Sequence, residues 1–181
     1  RAFHILSCLE NVGGELNAYT TKEETCIHAS FLKEYYNKAI ELIADVALNS
    51  IYPENEVEKE KEVIIDEINS YRDSPAEEIF DEFENNLYRG HEMGRNILGT
   101  VDLVESYTRN DIIHFIKNNY STDKMIISTI GDIPFSKFKN KILSHFGDYQ
   151  QKTGINHRTN FSRLPVFNKI EERNNHLSHC I

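Results

Sequence analysis

Glu60 and Glu67 are the two side chains of this 181-residue sequence whose type and spacing most directly suggest chemistry. They lie in ENEVEKEKEVIIDEINSYR, a stretch that reads as one amphipathic helix. With Val57 set at 0° and about 100° per residue, Ile68 falls near 20°, Ile65 near 80°, Ile64 near 340°, Tyr71 near 320° and Val63 near 240°. Glu58, Glu62 and Asp66 fall at about 100°, 140° and 180°, an ordinary wet face. Glu60 and Glu67 fall near 300° and 280°, between Val63 and Tyr71, inside the apolar stripe. Glu56 falls nearby but sits in the first turn, where an acid complements the helix dipole. A carboxylate on a buried face must be ion-paired, protonated or bound to a metal, because an unpaired buried charge is strongly unfavourable. Two readings stay open on this arithmetic: a buried salt bridge to an Arg or Lys elsewhere, or a metal-binding or catalytic carboxylate pair.

The elements that must position these residues follow from periodicity and turn chemistry. AFHILSCLENV (2–12) has helical apolar spacing and stops at Gly13-Gly14. ELNAYT (15–20) and TCIHASFL (25–32) are extended runs joined by the polar turn Thr21–Glu24, a hairpin pattern. Residues 33–49 form an amphipathic helix, and Pro53 marks the entry to the helix from about Glu54 to Tyr71. Ser74-Pro75-Ala76-Glu77 is a capping box that opens a helix to about Tyr88. A loop from Arg89 to Thr100 follows, then a helix from Thr108 to Tyr120, a strand over 124–131 and a helix over 135–146. The mixture predicts an α+β fold, with helices packed against a mainly antiparallel sheet.

Composition narrows the function classes. The chain is 39% hydrophobic and 27% charged, with only 8 Gly and 4 Pro, so it can bury a core and is neither disordered nor collagen-like. No apolar run approaches the roughly 18–20 residues of a membrane helix, and no signal-peptide pattern opens the sequence. Three widely spaced cysteines, Cys8, Cys26 and Cys180, make neither a disulfide framework nor a Cys-based zinc knuckle. The net charge of −9 disfavours nucleic acid and anionic membranes as partners. That acidity is local: residues 54–84 carry 13 Asp/Glu against 3 Lys/Arg, which leaves the remainder close to neutral. An acidic cluster of this kind suits peptides with basic residues.

Three blocks then occur in a recognisable order: GGELNAYTTKEET (13–25), EKEKEVIIDEI (58–68) and GHEMGRNILGT (90–100). The chain resembles the pitrilysin/insulinase family of zinc metallopeptidases, the inverted zincins, in the bacterial and mitochondrial processing-peptidase branch. The resemblance runs from Arg1 to about Phe146 and more loosely to Ile181. In that family two His ligands and a general-base Glu come from an H-x-x-E-H helix, and the third zinc ligand is a Glu on a later helix. The resemblance places that ligand on Glu67 and the family's auxiliary acid on Glu60. A zinc site of two imidazoles, one carboxylate and a water suits peptide hydrolysis. The family's substrate lies as an added strand on the sheet edge after the double glycine, which maps onto Leu16, Asn17, Ala18 and Tyr19.

The departure from the pattern sets the expectations. Neither H-x-x-E-H nor H-E-x-x-H occurs in the sequence, so the resemblance implies that the motif helix lies upstream of Arg1. The expected organisation is most of an N-terminal peptidase domain at 1–147, a linker at 148–173 and the start of a following domain at 174–181, truncated at both ends. The parent is expected to carry zinc, while this fragment is expected to bind none and to be inactive without the upstream segment. Expected partners are a peptide substrate and a second similar half or subunit, in a soluble protein of the cytoplasm or periplasm of a bacterium. The alternative is a non-catalytic half that serves assembly or peptide binding. A third reading, from a different class, is an acidic interaction module with no metal history.

Other candidates read as structure. His176 and His179 at i and i+3 on a strand face opposite sides. His28 reads as an ordinary strand residue beside Cys26 and Ser30. Tyr35, Tyr36, Ile40, Leu42 and Ile43 read as core, and the glycine-bearing loop lacks the Gly-Lys-Ser/Thr of a phosphate cradle.

Overall fold

In the computed structural model, residues 2–149 are described, together with Thr159, Asn168 and Ile170. The chain divides into two compact units, one made of residues 1–52 and 110–154 and the other of residues 53–109 and 155–181.

The first unit begins with α1 (Ala2–Glu10), which ends where Gly13 takes a φ of 74°. That left-handed conformation suits Gly and closes the helix. Gly14 is required for space: a Cβ there would meet the Ser30 carbonyl oxygen at 2.9 Å. Strands β1 (Glu15–Thr20) and β2 (Thr25–Ser30) then form an antiparallel hairpin, with Leu16 opposite Ala29 and Asn17 opposite His28. Thr21 closes the turn, its N–H donating to Glu24 O at 2.8 Å while its hydroxyl accepts from the Glu24 N–H at 3.2 Å. A 3-10 turn at Lys33–Tyr35 leads into α2 (Tyr36–Leu48), whose Ala39, Ile40 and Ala44 are buried. The hairpin packs on α1 and α2, α2 also packs on the last helix of the unit, and Leu9 is fully buried. This is the α+β arrangement expected, with a two-stranded sheet.

The second unit holds α3 (Glu54–Arg72), α4 (Pro75–Leu87) and α5 (Val101–Ser106). Pro75 opens α4 behind the N-cap residue Ser74, as the sequence predicted, but the Ser74 side chain makes no capping bond. Thr100 does cap α5, accepting from Leu103 N–H at 3.3 Å. Among the described residues of this unit Val57, Ile68 and Val104 are its buried hydrophobic side chains, where α3 packs on α4 and α5.

After α6 (Arg109–Asn119), the first unit ends in α7 (Phe135–Phe146). Between them the strand predicted over 124–131 is not formed among the described residues. Thr122–Lys124 make a 3-10 turn, and the chain after it is extended at Met125 with no ladder partner. Ile126 and Ile130 are completely exposed. The β-branched composition supplies extended backbone, but a strand also needs a neighbour for its amides. The linker at 148–173 and the tail at 174–181 fall almost wholly outside the described residues.

Candidate functional site

Glu60 and Glu67 project from one side of α3, two turns and roughly 10 Å apart along its axis. Both are exposed, and neither has a hydrogen bond or ion pair among the described residues. Other acids of the helix do: Glu56 pairs with Lys59 at 3.2 Å and Glu58 with Lys61 at 2.8 Å. The apolar stripe predicted from the helical wheel is therefore split. Its Val57–Ile68 arc is buried, whereas Val63 is 57% and Tyr71 38% exposed. The glutamates lie on the open part, so the burial expected for them is not met and no buried salt bridge holds them. The wheel identifies the stripe, but which arc is covered depends on where α4 and α5 land. An exposed carboxylate retains its hydration and needs no partner to be stable. An unpaired pair on an open face is also free to accept a ligand.

Leu16, Asn17, Ala18 and Tyr19 form the middle of β1, which belongs to the first unit, whereas the glutamates belong to the second. Among the described residues β1 pairs only with β2 and so presents an open edge. Leu16 is half-buried and the other three are exposed. Cross-strand neighbours share a face in an antiparallel pair, which puts Asn17 and Tyr19 with Cys26 and His28. The rings of Tyr19 and His28 are 6.0 Å apart. A side-chain hydrogen bond with Cys26, with the Cys26 and Glu24 charges adding to it, raises the Tyr19 phenol above its ordinary value.

A cleft of about 210 Å³ opens within the second unit, between the end of α3, α4 and the 94–100 loop. Glu78, Asp81 and Glu82 line one side, and Arg72 is the basic residue of the lining. The loop wall is held by Asn96, whose Nδ2 donates to Asp81 Oδ2 at 2.6 Å and whose Oδ1 accepts from Leu98 N–H at 2.8 Å. The sequence signal for this cleft was the local excess of acid. It marked the segment, but not which carboxylates converge. On the same loop His91 Nδ1 accepts from Met93 N–H at 3.2 Å, and Glu92 accepts from the Thr159 hydroxyl at 2.7 Å. That hydroxyl is the main cause holding the Glu92 carboxyl below its ordinary value.

A zinc ion needs about four donors in a tetrahedron. No group of three His, Cys, Asp or Glu converges in that way among the described residues. Glu67 is an exposed carboxylate with no cationic partner among the described residues, a donor type that a zinc site accepts.

Comparison with known proteins gives a consistent answer. The sequence model of the insulinase family, peptidase family M16, matches residues 1–101, and that of the peptidase M16 inactive domain matches residues 106–179. An uncharacterised zinc protease of Bacillus subtilis, YmxG, is 33% identical over 97% of this chain and 43% of its own length. The probable mitochondrial-processing peptidase subunit beta of Schizosaccharomyces pombe is 38% identical over 76% of this chain and 30% of its own length. The chain thus spans less than half the length of these relatives. A protease from Helicobacter pylori has a similar fold, with a TM-score of 0.72 at 23% identity over 87% of this chain and 37% of that one. A peptidase M16 inactive domain from Pseudomonas fluorescens gives 0.75 at 15% identity, over 86% of this chain and 38% of that one. With the family model matching residues 1–101, more than half of the sequence and the part that holds the hairpin and α3, the chain belongs to the insulinase (M16) family.

Proposed function

We propose that these residues are part of a zinc metalloendopeptidase in which Glu67 supplies the carboxylate ligand and Glu60, two turns earlier on the same side of α3, an auxiliary acid. The observation that carries this reading is the pair itself: two exposed carboxylates on one open face of α3, without ion pairs among the described residues, in a chain of the M16 family. Zinc bound by two imidazoles and one carboxylate supplies a water of lowered pKa and polarises the scissile carbonyl. This chain's own residues do four things around that chemistry. Glu67 offers a charged oxygen, and Glu60 adds negative charge one further pair of turns along the helix. The β1 edge at Leu16–Tyr19 takes the peptide as an added strand, which binds backbone and leaves side chains to alternate pockets. The acidic cleft at Glu78, Asp81 and Glu82 favours substrates that carry a basic residue.

By itself the chain offers one of the three protein ligands, so we infer that peptide cleavage requires an H-x-x-E-H segment from outside these 181 residues. A second similar half or subunit would complete the substrate enclosure. The runner-up is a non-catalytic half of the same fold, favoured by the match of residues 106–179 to the inactive-domain model. Zinc content decides between them, measured on the full-length polypeptide beside its Glu67→Gln variant. About one zinc per chain, sharply weakened by the substitution, supports the peptidase. No zinc in either protein overturns it and leaves the non-catalytic half.

A further inference from the structure

The open edge of β1 is capped by its own side chain. The turn hydrogen bond from Thr21 N–H to Glu24 O makes Thr21 and Glu24 a bonded pair. Antiparallel pairs alternate between bonded and non-bonded positions. With the observed register, Tyr19–Cys26, Asn17–His28 and Glu15–Ser30 direct their backbone groups at each other. The N–H and C=O groups of Leu16, Ala18 and Thr20 therefore point to the open side. Ala18 shows this directly: its N–H donates to Asn17 Oδ1 at 2.8 Å. The donor at the centre of the edge is thus already engaged, by an amide oxygen chemically equivalent to a peptide carbonyl.

We propose that the Asn17 carboxamide is a removable cap on the β1 edge, standing where the carbonyl of an added peptide strand would stand. Unblocked strand edges recruit other chains indiscriminately. The cap suppresses that pairing, because an incoming backbone must displace the carboxamide before it can use the Ala18 N–H. Short polar side chains such as Asn reach a neighbouring backbone group in this way. Only the identity of the displacing ligand rests on the strand-addition reading of the proposed function; the cap itself does not.

Amide hydrogen exchange in the 181-residue chain, read residue by residue by NMR, tests the cap. Ala18 N–H is expected to exchange roughly three- to tenfold more slowly than in Asn17→Ala, the range of one modest hydrogen bond. Amides of β2 should be unchanged in the variant, which shows that the hairpin survives. Asn17→Asp should slow Ala18 further, since a charged acceptor bonds more strongly. Asn17→Ala should also self-associate at lower concentration in sedimentation. Equal exchange of Ala18 in wild type and Asn17→Ala, with β2 intact, overturns the proposal. A synthetic ten-residue arginine-containing peptide provides a separate arm. Binding that strengthens in Asn17→Ala and weakens in Asn17→Asp supports displacement by substrate. Absence of binding to all three refutes strand addition in this chain, while the exchange data still decide the cap.

Discussion

Lys33 Nζ lies 2.5 Å from Asp132 Oδ2, an ion pair that joins positions 99 residues apart within the first unit. It ties the entry of α2 to the segment just before α7. The hydrogen bond from Lys33, and then its charge, hold the Asp132 carboxyl below its ordinary value. A carboxylate with a depressed folded-state pKa adds stability above the unfolded pKa, and that stability is lost as pH falls through the folded value. Both side chains are exposed, so solvent screens the pair and its effect on stability is small. In Lys33→Met the Asp132 carboxyl should titrate at higher pH than in wild type, as followed by carboxyl-carbon NMR. An unshifted curve would mean that the pair does not persist in solution.

Glu92 offers a parallel case with a different cause. Its carboxyl is lowered mainly by the hydroxyl of Thr159, with the charges of His91 and Arg95 adding to it. Thr159→Val removes the donor and keeps the shape, so Glu92 should titrate higher. The sign is the same as for Asp132: the contribution is present at neutral pH and disappears in acid. NMR titration of Glu92 in the two proteins measures it. A curve identical in both would show that Thr159 does not dock on this loop.

Gly14 is the tightest point of the hairpin. A methyl group there meets the Ser30 carbonyl oxygen at 2.9 Å and the Leu9 side chain at 3.3 Å. Neither neighbour can yield easily, because one is strand backbone and the other is fully buried. Gly14→Ala should cost about 1–3 kcal/mol, the range for overpacking a filled site, whereas an exposed site such as Glu23→Ala should stay within about 0.5 kcal/mol. Thermal melts of the two variants make the comparison. Equal melting temperatures would mean that α1 and β2 are not packed as described.

Much of this architecture was readable because its signals are local. ELNAYT and TCIHAS flank a polar turn, and the Gly13-Gly14 pair stops α1, so the hairpin followed from neighbours in sequence. The same holds for α2, α3, α4, α6 and α7, each long enough to show its period. Helix α5 was missed because six residues show barely two turns. Its one usable sign was Thr100 before Val101, with Asp102 in the first turn. The strand at 124–131 was misread for the opposite reason. KMIISTIG has strand composition, but whether it pairs depends on residues far from it in sequence. Glu60 and Glu67 combine both cases. Their shared face was fixed by helix geometry, whereas their exposure was decided by which neighbours cover α3.

Ile68 tests the core of the second unit. It is 4% exposed and packs in the same buried set as Val57 and Val104. Ile68→Ala should cost about 2–5 kcal/mol in urea unfolding, because methyl groups lost from a packed site leave a cavity as well as a transfer term. By contrast Val63→Ala, on the open arc of the same helix, should cost well under about 1 kcal/mol. Similar losses at both positions would show that the open arc is covered in solution.

Stability and metal binding should separate at Glu67. The side chain is exposed, has no ion partner among the described residues, and sits on a helix that carries seven acids against three bases. Removing one negative charge relieves repulsion along α3, so Glu67→Gln should leave stability unchanged within about 0.5 kcal/mol or raise it slightly. An acidic interaction module makes the same stability prediction, so unfolding data alone do not distinguish it from a peptidase. Zinc binding by the full-length polypeptide does. A ligand carboxylate replaced by an amide should lose zinc, and Glu60→Gln, two turns away and not a ligand in this reading, should weaken it less. Equal zinc content in the wild type and both variants would remove Glu67 from the coordination sphere, whatever the unfolding curves show.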